Sequence, residues 1–109
     1  MAYDEALAAR VRRLLKRRRG FAERKMFGGI AFMLDGNMCC GVLDRSLMLR
    51  LGHERAADAL GEPHTREMDF TGKPMRSMIY VDPPGLQSDD EIRMWIARAI
   101  DFVRSLPAK

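Results

Sequence analysis

The side chains best suited to chemistry in this sequence are two adjacent cysteines, Cys39 and Cys40. A thiolate can act as nucleophile or metal ligand, but a reactive one needs nearby cations or a helix N-terminus to lower its pKa. A structural metal needs about four converging ligands. His53 and His64 are the remaining soft ligands, and neither has a motif spacing to the cysteines. Neighbouring cysteines cannot bridge distant segments, so both are expected as reduced thiols in the cytoplasm. Their first reading is as small buried hydrophobes. A small-molecule binder or thiol-based enzyme beside Cys39 or Cys40 is the reactive alternative. The sequence has no paired acids and no Ser-His-Asp or Cys-His arrangement at a recognisable spacing. No catalytic, cofactor-binding or metal residue is assigned, and the expectation is a chain that is not an enzyme.

Cations supply the second candidate. Arg10, Arg12, Arg13, Lys16, Arg17 and Arg19 lie in one predicted helix and its exit, where several cations on a rigid element could contact phosphates. They spread over about half of the helical wheel, filling what the apolar stripe leaves free, which is also how a solvated face looks. No Asn, Gln or Ser stands among them to read base edges. The net charge is +4, with nine Lys/Arg against three Asp/Glu in residues 1–25 and ten against twelve in the rest. Gly28-Gly29 and Thr71-Gly72-Lys73 have a superficial likeness to phosphate loops, but neither completes a nucleotide fingerprint. Gly28-Gly29 reads as a bulge or tight strand connection.

These residues need elements to hold them. Apolar residues make up 47% of the chain and charged ones 31%, a balance that favours one folded domain, residues 1–109, over disorder. No apolar run approaches the roughly 18 residues of a membrane span, and the acidic pair Asp4-Glu5 does not suit a secretory signal. Leu7, Val11, Leu14 and Leu15 give Asp4–Arg19 a helical stripe, stopped by Gly20. Short strands are predicted over residues 24–27, 30–34, 38–43, 47–51 and 76–81, with another possible at 66–70. Residues 54–60 suit a short helix. Ser88 and Glu91 form a capping box for a last helix whose stripe includes Ile92, Trp95, Ile96, Ala99 and Val103. The result is an α+β chain with an antiparallel sheet of about five strands and helices at both ends.

Hairpin register decides which cysteine is inside. A three-residue Asp35-Gly36-Asn37 loop pairs Leu34 with Met38, Phe32 with Cys40 and Ile30 with Val42, a bulky face suited to the core. A two-residue Asp35-Gly36 loop sets Cys39 opposite Phe32 instead. The first register gathers the large residues and leaves Ala31, Met33, Cys39 and Gly41 on a softer, still apolar face. Met33 and Cys39 then mark an interaction face, covered by another helix or by a second subunit. The nine methionines of the chain add to that expectation.

The same residues carry a family resemblance. Arg24-Lys25-Met26-Phe27-Gly28-Gly29-Ile30-Ala31-Phe32 and Gly36-Asn37-Met38-Cys39-Cys40-Gly41-Val42 resemble the N-terminal domain of the TfoX/Sxy family. So do Phe70-Thr71-Gly72-Lys73-Pro74-Met75, the Asp82-Pro83-Pro84 break and the Trp95 helix. The resemblance implies a two-layer α/β domain similar in fold to secretion-chaperone-like proteins, and a bacterial source. It also implies kinship with regulators of natural competence that act with a cyclic-AMP receptor protein at promoters. Those regulators carry a second, C-terminal domain, for which a chain ending at Lys109 leaves no room. No catalytic or ligand residue comes with the motif. The expected function is a regulatory protein-interaction domain, possible as a dimer, with direct nucleic-acid binding through the first helix as the alternative.

Overall fold

In the computed structural model, which describes residues 3–26, 28–70 and 73–108, the chain begins with a capped helix. Of residues 69, 70 and 73–75 it describes the backbone. Asp4 Oδ1 accepts hydrogen bonds from the N–H groups of Ala6 (2.9 Å) and Leu7 (3.1 Å), satisfying donors that a helix start leaves free. Helix α1 runs Glu5–Leu15 and buries Leu7, Ala8, Val11 and Leu15. It stops four residues short of the predicted Arg19. Beyond Leu15 the sequence offers Lys16 and three arginines, so a further turn would bury nothing, and burial holds most protein helices together. The chain instead turns through Gly20, whose φ is +77°, with Asp35 packed so closely that a Cβ would strike its side chain.

Six strands follow: β1 Phe21–Met26, β2 Gly29–Leu34, β3 Asn37–Leu43, β4 Ser46–Arg50, β5 Thr65–Phe70 and β6 Lys73–Val81. All pairings are antiparallel and the order is β1-β2-β3-β4-β6-β5, an open sheet with β1 and β5 at its edges. Helix α2, His53–Ala59, packs on β6; helix α3, Asp89–Val103, packs on β3, β4 and α1. Gly52, at φ +84°, precedes α2 where a Cβ would lie 2.6 Å from the Phe102 ring, so the position requires glycine. The capping box at Ser88 and Glu91 is present in full. The α+β architecture agrees with the sequence reading, with six strands in place of about five.

Both predicted hairpin registers occur, in different halves of the same hairpin. Leu34 pairs with Asn37 and Met33 with Met38, the two-residue loop; Phe32 pairs with Cys40, Ala31 with Gly41 and Ile30 with Val42, the three-residue register. Asp35 (φ 52°) and Gly36 (φ 82°) both adopt positive φ, as in the tight turns whose twist matches paired strands. The turn therefore sets the near register, and a bulge beside Cys39 absorbs one residue and restores the far one. Two expectations change. Met38, predicted inside, lies half-buried opposite Met33, and Asn37 takes the inner position. Cys39, predicted on the softer face, joins Cys40 in the main core, and both are fully buried.

That core lies between the sheet and the helices, around Phe32, Leu34, Leu47, Leu49, Ile79 and Ile92. On the other face a second cluster joins Met48, Met68, Met78 and Tyr80, with half-buried Met38 and Leu43 against it; every member is a strand residue. Strand alternation adds Met26 and Met33 to that face.

Candidate functional site

The cations of the first helix divide into two groups. Arg10 and Arg12 are part of the fold. Arg10 donates from Nε to Asp89 (3.1 Å) and from a terminal nitrogen to the Leu86 carbonyl (3.1 Å), tying α1 to the start of α3. Arg12 meets Glu23 of β1 through two parallel hydrogen bonds of 2.5 and 2.8 Å, with its guanidinium 6.0 Å above the Phe32 ring. This hydrogen-bonded pairing, aided by direct charge attraction, holds the Glu23 carboxyl below its usual range and raises Arg12, against the opposing effect of burial.

Arg13, Lys16, Arg17 and Arg19 form the second group. All four are exposed, and none meets a carboxylate among the described residues. Only Arg13 stands on the helix; the others follow in the turn. Sequence reasoning left out three cations that share the same segment and are also exposed: Arg18, and Arg24 and Lys25 on edge strand β1. Two carboxylates beside this segment are already engaged. Glu23 is held by Arg12, and Asp35 by Arg104 at 2.6 Å, while Arg104 also donates to the Arg19 carbonyl at 3.3 Å.

Cys39 and Cys40 carry the opposite character. The Cys40 thiol is pushed well up, first by its hydrogen bond with Cys39, then by burial and by the charge of that neighbour. A raised pKa in a dry site leaves little thiolate at neutral pH. Met33 is half-buried. His53 and His64 are both exposed, and no group of three His, Cys, Asp or Glu side chains converges among the described residues. Gly28, at φ +79°, belongs to the tight β1–β2 connection; Phe27, between β1 and that turn, and Thr71-Gly72 lie outside the described residues.

One polar cluster had no signal in the sequence. A cleft of about 670 Å³ at the β4–β6 end is lined by Ser46, Arg66, Tyr80 and Asp82. The buried Ser46 hydroxyl donates to Asp82 (2.8 Å) and accepts from Arg66 (3.2 Å), while Arg66 Nε reaches Asp82 at 2.8 Å. The Arg66 guanidinium stacks 4.7 Å from the Tyr80 ring. Hydrogen bonding from Arg66, and then from Ser46, lowers the Asp82 carboxyl despite its partial burial. The serine hydroxyl hydrogen-bonds to a carboxylate already held by Arg66, whose lowered pKa makes it a weak base, and the cluster ties β4 and β5 to the end of β6.

Neither curated proteins nor solved structures gave a match to this chain. The family model described as the TfoX N-terminal domain matches residues 13–103, from the last turn of α1 to the end of α3. The chain belongs to the TfoX N-terminal domain family.

Proposed function

We propose that this chain is a non-enzymatic regulatory domain that works by protein contact, in bacterial cytoplasm, with transcription as the regulated process. Its family membership supports the regulatory part. The observation that carries the contact part is the segregation of methionine: Met26, Met33, Met38, Met48, Met68 and Met78 share the sheet face opposite α1 and α3. Methionine side chains are flexible and polarizable, which suits a surface that adapts to a partner. Met48, Met68 and Met78 are already buried within one chain, so the contact surface is the half-buried group Met26, Met33, Met38 and Leu43.

A second copy of the chain is the occupant this reading commits to, because a face that is alike on both sides can pair with itself about a twofold axis. Light scattering after gel filtration is expected to give a dimer at tens of micromolar, and Met33→Glu with Met38→Glu to give a monomer. A clean monomer for the unsubstituted chain removes the self-association reading.

A further inference from the structure

The segment from Arg13 to Lys25 concentrates charge that the fold does not neutralise. It holds Arg13, the Lys16–Arg19 run, Arg24 and Lys25, and its one acid is Glu23. Across the described residues seven salt bridges occur, each made by a different arginine, and none involves these cations. Two carboxylates beside these cations, Glu23 within the segment and Asp35 against Gly20, are held from outside it by Arg12 and Arg104. We propose that this corner is a binding surface for the phosphate backbone of duplex nucleic acid, read without regard to sequence.

The corner is a fixed support. Val11 and Leu15 anchor the end of α1 in the core, the Asp35 N–H donates to the Gly20 carbonyl at 3.1 Å, and Arg104 donates to the Arg19 carbonyl. Strand β1 is an edge, so its outer side is open. Near its end β1 carries two consecutive cations, Arg24 and Lys25, which alternate to the two sides of that edge and continue the charge of the Lys16–Arg19 run. Exposed like charges held within about one Debye length repel one another, and a polyanion relieves that repulsion while releasing its own counterions.

The side chains select among polyanions. Five of the seven cations are arginines, whose planar fork matches phosphate oxygens in pairs. Residues 13–25 contain no Asn, Gln, Ser or Thr, so nothing there reads base edges. Among their apolar residues Leu15 is buried, Leu14 is half-buried and Phe21 is half-buried against Phe32 at 6.1 Å between ring centroids. A bilayer would find no large exposed apolar side chain in the segment to insert. By strand alternation Arg24 shares a sheet face with Met26 and Lys25 does not, and binding through this corner does not require a dimer.

Fluorescence anisotropy with a labelled mixed-sequence duplex of about twenty base pairs tests the proposal on the full chain. With about four phosphate contacts, raising KCl from about 50 to 200 mM should weaken binding about 100-fold. The triple substitution Arg13→Ser, Lys16→Ser and Arg24→Ser should weaken low-salt binding and flatten the salt slope by nearly one for each lost contact. A control triple with the same net charge, Arg45→Ser, Arg76→Ser and Arg93→Ser, should retain the slope. Circular dichroism establishes that both triples are folded. Absence of binding at low salt, or equal loss in the two triples, overturns the proposal. So does equal affinity for polyglutamate or for phosphatidylserine vesicles.

Discussion

Cys39 and Cys40 are consecutive in strand β3, yet both side chains enter the same core. Regular strands send neighbours to opposite faces. The exception follows from the bulge beside Cys39, where the positive-φ turn at Asp35-Gly36 and the apolar pairing of Phe32 with Cys40 demand registers one residue apart. The bulge reconciles them, and places two thiols in hydrogen-bond contact away from water.

Both thiols should therefore resist modification until the domain opens. Ellman's reagent is expected to react slowly with the native chain and rapidly with two thiols in guanidinium. The Cys40 pKa is raised on folding, so its stabilisation is full below the ordinary thiol value of about 9 and is lost as pH rises through the folded value. Denaturation midpoints should fall above pH 9 in the unsubstituted chain and fall less in Cys40→Ala. Rapid native reaction at pH 7 would contradict the buried arrangement.

Asn37 makes the second prediction. It is 3% exposed, and its side-chain amide donates to the Pro107 carbonyl at 2.9 Å, fastening the C-terminal tail to the hairpin. Asn37→Ala leaves that carbonyl without its donor and should cost about 1–2 kcal/mol. Removal of residues 106–109 should cost a similar amount, and the two changes together little more than one. Additive losses in urea denaturation would show that the bond is not the shared cause.

A third prediction concerns acid. Arg66 and Ser46 lower the Asp82 carboxyl, so their contribution is present above the unfolded carboxylate value and is lost as pH falls through the folded one. Ser46→Ala should cost about 1 kcal/mol at pH 7. Asp82→Asn should cost a similar amount at pH 7, discounted for the 53% exposure of the Arg66 side chain, and clearly less at pH 3. Equal losses at both pH values would mean that charge has no part in the cluster.

Elements with strong local signals were legible in the sequence. The Ser88–Glu91 box and the stripe from Ile92 to Val103 specify α3, and Asp4 specifies the start of α1. Strand β5 was faint because it is an edge carrying Arg66 and Glu67, with Met68 buried among its described side chains. The bulge left no local mark, since it arises from competition between a turn and a distant pairing. The cationic corner was legible as an excess of charge near the N-terminus, but its boundaries were not. Arg10 finds Asp89 and Arg104 finds Asp35 across 79 and 69 residues. Only the fold determines which cations are occupied.

The Arg12–Glu23 pair separates stability from binding. Glu23→Gln removes the charge and one of the two hydrogen bonds, Arg12→Gln removes the paired fork, and with Arg12 38% and Glu23 29% exposed each should cost at most about 1 kcal/mol. Their effects on duplex affinity should have opposite signs. Glu23→Gln releases a cation at the border of Arg13 and Lys25 and takes the net charge from +4 to +5, so binding should tighten and its salt slope steepen. Arg12→Gln releases an anion there, so binding should weaken. The double substitution removes one charge of each sign and should bind like the unsubstituted chain while remaining less stable. Anisotropy at two salt concentrations reads the first effect and urea denaturation the second. If both single substitutions shift affinity in the same direction, duplex binding follows stability and does not pass through this corner.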